Sequence, residues 1–479
     1  MLVLLGSKRR CCDGITRRES LRAGGLSVLG GFFNLPSLLA LEGSPGAHTR
    51  PGKAKSVIVL YLYGGAPWQD MLDMKPDAPA EVRGEFKPVP SNVPGITVCE
   101  VLPRLGRWMH KAAVVRSVHH RGGDHNPLPS YTGDERPADS TFTLDTYPPS
   151  MGSVCEYLKR GRSQLPAYVY LPNYLGWGQV IRRPGPYAGF LGKRYDPLFT
   201  ECSPYVDPRP ATPHIWDTYP IRGEPRLPES DLREGITIDR LDTRRTLLEQ
   251  IDDRLRRLGA SPGLAAHDRV RQQAFSILTS PRVKAAFDLT KEDARLRDRY
   301  GRTLFGASTL VARKLVEAGV RFVNVTWDLY WDRLQLGGPS WDTHGRNFVL
   351  LREQLLPYFD LAYSALMDDL DSRGLLDQTL VVVMSEMGRT PWINADAGRD
   401  HWTGCYSVLF AGAGVRGGTV YGASDGLAAY VKDKPVSPGD ICATIYECLG
   451  IDPEMPVHDH AGRPVPIANG GRPIGDILG

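Results

Sequence analysis

The sequence predicts an α/β fold, a doubly wound, mostly parallel sheet with a helical insertion. Three observations carry that expectation. Ser56 to Tyr63 is a continuous apolar, β-branched run ending at Gly64-Gly65, the pattern of a central strand covered on both faces. Comparable runs alternate with helical periodicities through both ends of the chain, which favours one large domain over two in tandem. The middle of the chain differs in texture, being proline-rich and then highly charged.

After the first run, strands are expected at Ala112–Val118, Ala167–Leu171, Val320–Thr326, Leu380–Ser385 and Tyr406–Ala411. Apolar residues at three- and four-residue spacing predict helices over Thr303–Ala318, Arg346–Arg373 and Pro438–Leu449. Tyr195 to Pro228 is rich in proline and polar residues, and Ser230 to Arg302 is charged with helical periodicity, most clearly from Leu241 to Leu258. The segment of about 195–302 therefore reads as an insertion capping the sheet, within a domain spanning 51–479. Its periodicity does not persist for enough heptads to suggest a coiled coil.

The N-terminal segment 1–45 reads as an export signal. Arg17 and Arg18 precede an apolar run from Ala23 to Ala40 that is interrupted by four glycines, Asn34 and Pro36. A buried helix tolerates such interruptions poorly. The paired arginines point to the twin-arginine route, and so to a periplasmic or secreted protein, although Ser20 stands where that pattern usually has a large apolar residue. The run is short and broken for a membrane span, so contact with a membrane is expected only through an uncleaved leader.

Charge narrows the function. The chain has 58 basic and 54 acidic residues, and removing the seven basic and three acidic side chains of the first fifty leaves 51 of each. A neutral body gives no support to nucleic-acid binding. Beyond Cys11 and Cys12, the cysteines are Cys99, Cys155, Cys202, Cys405, Cys442 and Cys448, with irregular spacing and no CxxC pair. That excludes a zinc ribbon and favours buried free thiols.

Ligands of open α/β sheets bind outside the carboxyl ends of the strands. Polar residues at those ends are Asp70 and Asp73 after the first strand, and Asp328, Asp332 and Trp341-Asp342-Thr343-His344-Gly345 after the strand near 320. Glu386-Met387-Gly388-Arg389-Thr390 and Gly398-Arg399-Asp400-His401-Trp402 follow the strand near 380. Singly, each carboxylate has an ordinary structural explanation, as a turn former, a helix cap or an arginine partner. Together, carboxylates and imidazoles gathered from several strand ends are what a divalent metal needs. Asp342 and His344 are two apart, which puts both side chains on one face of an extended segment.

These motifs, with Lys75-Pro76-Asp77-Ala78-Pro79-Ala80-Glu81-Val82-Arg83-Gly84-Glu85-Phe86 and the leader, resemble the exported bacterial family catalogued as domain of unknown function 1501. The resemblance runs over nearly the whole chain. It implies the alkaline-phosphatase and sulfatase-like fold and the label sulfatase-like, which rests on fold rather than assay. Carried over residue by residue, it gives metal-holding roles to Asp70 or Asp73, Asp342, His344, Glu386 and His401. Two features depart from the phosphatase pattern: the Asp-Thr-His spacing is shorter, and Met387 follows Glu386 where phosphatases have histidine.

The nucleophile of that superfamily sits nine residues before a Thr-Gly pair. Here the pair is Thr132-Gly133, and the position is Gly123. No Cys-x-Pro-x-Arg signature is present, which argues against formylglycine chemistry. Asp124, His125 and Arg121 lie in the same segment as candidates for activating a water on the metal, or for binding an anion without turning it over. Arg389 and Arg399 are expected to face an anionic group.

The resulting expectation is a hydrolase of phosphate or sulfate esters that depends on a divalent metal, zinc or calcium. Its substrate would be an anionic ester, with a sulfated or phosphorylated glycan as one form. The rival is a non-catalytic protein that keeps the fold and binds an acidic glycan or a protein partner.

Overall fold

The computed structural model describes residues 48–122, 125–137, 143–159, 165–176, 181–228, 281–330 and 334–479. The export-signal segment 1–45 and most of the charged middle, including Leu241 to Leu258, lie outside them. All of the structure below belongs to the unit Pro51–Gly479.

Ten strands matter to the site: β1 (Ser56–Leu62), β2 (Ala112–Val118), β3 (Tyr168–Leu171), β4 (Leu198–Phe199), β5 (Phe322–Trp327), β6 (Thr379–Met384), β7 (Gly388–Arg389), β8 (His401–Trp402), β9 (Tyr406–Gly412) and β10 (Thr419–Tyr421). Eight form one sheet in the order β10-β2-β9-β6-β1-β5-β3-β4, while β7 and β8 pair as a separate two-stranded ribbon. β1 lies inside the sheet, parallel to β5 and β6, and all seven of its residues are buried. Its near-continuous apolar sequence follows from being covered on both faces.

One interior strand reverses. β9 runs antiparallel to both β6 and β2. The chain between β6 and β9 is occupied by the β7–β8 ribbon and its loop rather than by a crossover helix. A strand reached without a crossover returns antiparallel. The apolar run Tyr406–Ala411 reads the same in either direction, so the sequence gives no sign of it.

Helix α1 (Leu128–Thr132) and helix α2 (Met151–Tyr157) precede α3 (Leu304–Ala318), which starts where Thr303 accepts the Gly306 amide and stops at Gly319, with φ of 103°. These are the cap residues expected of such ends. The segment expected to be one helix from Arg346 to Arg373 is divided: Asn347–Leu350 is α-helical, Leu351–Leu355 is a π turn, and α4 (Leu356–Ser372) follows. Pro357 has no amide to donate back along the helix, and the wider turn before it absorbs that break. α5 (Pro438–Leu449) begins with a Ser437/Asp440 capping box and ends at Gly450.

The described parts of the middle region hold a short ladder, Glu201–Cys202 with Pro225–Arg226, and helices over Pro281–Phe287 and Ala294–Arg299. All six cysteines of the described residues are buried, and Cys99, Cys155, Cys405, Cys442 and Cys448 are the free thiols their spacing predicts. Burial pushes Cys99, Cys405 and Cys448 up to about 12, which leaves them unreactive at neutral pH. Among the described residues no helix is long and apolar enough to cross a membrane.

Candidate metal centre

The centre is assembled beyond the ends of β1, β5 and β6. At the end of β1 the Trp341 amide donates to the Tyr63 carbonyl at 3.2 Å, which sets the entry to Asp342. Gly64 follows at φ of 117°, and a Cβ there would stand 2.3 Å from the Asp342 nitrogen. Only glycine permits that close approach. Beyond β6, Glu386 turns back, and one of its oxygens accepts the Gly64 amide at 2.9 Å. In the ribbon Arg389 pairs with His401, so both face the same side.

Three imidazoles surround the Asp342 carboxylate. His125 Nε2 lies 3.2 Å from Oδ2, while His344 Nε2 and His401 Nε2 lie 3.1 and 3.2 Å from Oδ1. The two Nε2 atoms of His344 and His401 are 3.0 Å apart. Arg389 also donates to Asp342. One ligand atom each from His125, Asp342 and His401 falls within 4.8 Å of the other two.

Carboxylates hold two of the imidazoles from behind. His125 Nδ1 is 3.0 Å from Glu386 Oε1, and His344 Nδ1 is 2.7 Å from Asp400 Oδ1. With Nδ1 occupied in this way, Nε2 is the nitrogen directed at the centre. Glu386 is 1% exposed, yet its second oxygen has no hydrogen-bond partner among the described residues. A buried carboxylate oxygen left without a donor is costly, and a cation close by would relieve that cost.

The electrostatics concentrate charge at Asp342. Burial raises its pKa, but hydrogen bonds from the three histidines and the Arg389 charge outweigh this and hold the carboxyl far below the usual carboxylate range. Burial lowers the pKa of His125, and Asp342 and Glu386 more than reverse it, raising the group to about 9. His344 is also raised, first by its hydrogen bond to Asp342 and further by Asp400.

Several expected residues serve elsewhere. Asp70, expected as a ligand, has both oxygens engaged by Arg399 at 2.8 Å and a further bond from Asn347 at 2.9 Å. Asp73 Oδ1 pairs with Lys75 at 2.9 Å and lies 3.6 Å from Arg116, and Oδ2 accepts from Ser424. Arg399 and Arg389, expected to face an anion, both have fully buried side chains. The Arg399 guanidinium is turned to Asp70 and the Val82 carbonyl, and that of Arg389 to Asp342 and the carbonyls of Gly64, Gly65 and Arg399. Asp124, Gly123 and Asp332 lie outside the described residues. Ser130 and Thr132 spend their hydroxyls on the Pro127 and Leu128 carbonyls, at 2.9 and 2.7 Å, and Ser130 also meets the Tyr61 hydroxyl.

Two participants had no place in the expected ligand set. His125, expected only in proton transfer, is brought into the cluster, its ring 5.4 Å from that of Tyr63 and 4.4 Å from that of His401. Asp400 lies in the motif Gly398-Arg399-Asp400-His401-Trp402 beside His401 but acts on His344. A carboxylate adjacent to a ligand-type histidine is the signal that could have found it.

The model of the family described as "Protein of unknown function (DUF1501)" matches residues 54–478. The chain belongs to the DUF1501 family. A search of the curated proteins finds no match. Solved structures similar to this DUF1501 chain include a sulfatase from Pseudoalteromonas sp., 13% identical over 90% of this chain and 72% of that one, with a TM-score of 0.35. A protein in the alkaline phosphatase superfamily from Vibrio parahaemolyticus is 11% identical over 90% of this chain and 73% of its own, with a TM-score of 0.35. A phosphonate monoester hydrolase from Silicibacter pomeroyi is 12% identical over 88% and 76%, with a TM-score of 0.36. At such identities and TM-scores the likeness assigns nothing to this chain. The mostly parallel, helix-flanked sheet expected from the sequence is the one the DUF1501 chain forms.

Proposed function

We propose that this DUF1501 protein is a metal-dependent hydrolase of anionic phosphate or sulfate esters, with His125, Asp342 and His401 holding the metal and His344 at the rim. The observation that carries the reading is the convergence of these three side chains within 4.8 Å, with carboxylates behind His125 and His344. The donor set fits the group: imidazole nitrogen with carboxylate oxygen suits a borderline ion such as zinc. Calcium prefers about six to eight oxygens, which makes it the weaker of the two expected metals. A divalent cation supplies Lewis-acid polarisation of the ester and acidifies an attacking water.

The chain's own residues have distinct parts. Arg389 fixes Asp342 from the protein side. His344, with 38% side-chain exposure, is the most open of the three histidines. Asp342 and Asp400 favour its protonated form, so it is placed to give a proton to a leaving oxygen. Asp124, from the sequence, remains a further candidate for proton transfer. Export through the twin-arginine route would put this activity outside the cytoplasm.

Glycine at position 123 and the internally bonded hydroxyls of Ser130 and Thr132 support hydrolysis without a covalent intermediate. They also favour the second reading, a protein that binds an acidic glycan or a protein partner without turning anything over. Metal analysis of the purified protein, followed by a screen of aryl phosphates and aryl sulfates, separates the two. Stoichiometric metal with turnover supports the hydrolase. Stoichiometric metal without turnover of any ester supports the binding protein, and absence of metal sinks the hydrolase.

A further inference from the structure

A cavity of about 430 Å³ opens in the middle region, lined on the one hand by the ladder of Glu201–Cys202 with Pro225–Arg226 and on the other by α3 and the helix Ala294–Arg299. That volume is in the range of small-molecule sites, about 300–1,000 Å³. The ladder extends to Tyr205 and Arg222, which exchange both backbone hydrogen bonds, at 3.0 and 2.8 Å, and keep the same register. Alternate residues of an extended strand share a face. Ser203, Tyr205, Arg222, Glu224 and Arg226 accordingly all line the cavity. Cys202 turns the other way, into a small buried cluster with Leu304, Tyr330 and Leu336, so the polar face is held from behind.

The charges on this lining do not balance. Arg222, Arg226, Arg297 and Arg302 face one carboxylate, Glu224. Arg297 pairs with Glu224, and Arg302 with Asp298 at 2.7 Å, so those two arginines carry no surplus. Arg226 donates to the neutral Ser203 hydroxyl, and among the described residues no carboxylate pairs with Arg226 or Arg222. Two guanidinium charges thus share the cavity without a protein counter-charge. Walls of one sign concentrate the field between them and draw in an anion. Leu289 and Leu310, each 1% exposed, add apolar lining together with Ala307.

We infer that this cavity is a binding site for a small organic dianion, with a sulfate or phosphate group near each end and an apolar body between. Arg222 and Arg226 are four residues apart on one strand face, roughly 13 Å at about 3.3 Å per residue. Glu224, tied to Arg297, stands between them and repels an anion centred there, which favours two separated groups over one. Each guanidinium presents a planar fork of donors that matches sulfate or phosphate oxygens in pairs. The apolar body would rest on Leu289, Ala307 and Leu310. None of the described lining residues belongs to the metal centre, so the site stands independently of the hydrolase reading.

The test is calorimetric titration of the full chain with naphthalene-2,6-disulfonate and p-xylylene diphosphonate, which cannot be hydrolysed as esters, so binding is read apart from turnover. Inorganic sulfate, inorganic phosphate and uncharged 2-naphthol are the comparison ligands. Wild type should bind at least one dianion about tenfold or more tightly than any of these three, and the order of the two dianions tells a sulfate site from a phosphate site. R222Q/R226Q should weaken that binding about tenfold or more, and Glu224→Gln should tighten it. Unfolding midpoint and metal content control for folding, and Ala307→Phe, which fills the cavity from the helix side, gives a second loss that leaves the charges in place. No binding of either dianion by wild type overturns the proposal, as does equal affinity in R222Q/R226Q. Inorganic sulfate binding as tightly as the disulfonate shows a general basic surface and also overturns it. Binding that is lost in His401→Ala and kept in R222Q/R226Q places the dianion at the metal centre and refutes the cavity. Failure of the metal or aryl-ester assays refutes the hydrolase and leaves this result standing.

Discussion

Replacing Asp70 by Ala distinguishes a ligand from a structural anion. The side chains of Asp70 and Arg399 are both fully buried, and Asp70 receives two bonds from Arg399 and one from Asn347. Removing the carboxylate leaves a guanidinium in the interior, still bonded to the Val82 carbonyl at 2.8 Å and 5.6 Å above the Phe348 ring, with no counter-charge. Breaking a buried pair from one side costs about 3–5 kcal/mol, and the lost Asn347 acceptor adds to that. Denaturant unfolding should therefore show a loss of this size, while bound metal per folded chain is unchanged. D70L/R399M, which removes both charges, should recover most of the loss, because two apolar groups of similar volume often replace a buried pair at little cost. An Asp70→Ala protein with a wild-type unfolding midpoint and less metal would refute the reasoning and return Asp70 to the ligands.

His401→Ala should lower metal stoichiometry, whereas Asp400→Asn, which acts on the rim His344, should lower turnover and leave metal affinity near wild type, with little change in stability, since Asp400 is 54% exposed; a chelator competition that gives wild-type affinity for His401→Ala would sink the ligand assignment. In metal-free protein the raised pKa of His125, about 9, contributes stability that is complete below its unfolded value of roughly 6.5 and lost as pH rises through about 9. The unfolding midpoint in chelator should fall across that window and flatten in His125→Asn, and a flat wild-type profile would count against the paired geometry. Because deprotonation of His125 frees it as a ligand, metal affinity should climb over the same range. Ser130→Ala should leave turnover of an active aryl phosphate in place, and a phosphate ester chiral at phosphorus should give inversion; retention, or an adduct trapped on Ser130 or Thr132, would mean the nucleophile is misplaced. Changing Arg17 and Arg18 to Lys should leave precursor in the cytoplasm, and export at the wild-type level would refute the twin-arginine reading.

The strands were legible because a sheet covered on both faces leaves runs such as Val57 to Leu62 with no polar alternation. Strand direction was not, as β9 demonstrates, because burial on two faces erases the pattern that orientation might leave. At the centre, Asp342, His344, Glu386 and His401 could be named because each lies just past a strand or in the ribbon that follows. The same rule named Asp70, since it identifies a neighbourhood and not a partner. Which cation meets that carboxylate is decided by Arg399, 329 residues further along, and no local pattern encodes such a pairing. His125 was visible as a titratable group in a loop, but its place depends on packing against Tyr63, which only the folded chain supplies.

The centre draws its donors from loops far apart in the chain, with His125 and Glu386 separated by 261 positions and His344 and His401 by 57. No fragment ending before Trp341 can contain it, and a nascent chain has no complete coordination sphere until β8 has docked against β7. Contacts of such long sequence separation are slow to form. Cation uptake would thus act as a late checkpoint in biogenesis, favouring chains that have closed the sheet over those stalled partway, and it would add its binding energy to the finished architecture alone.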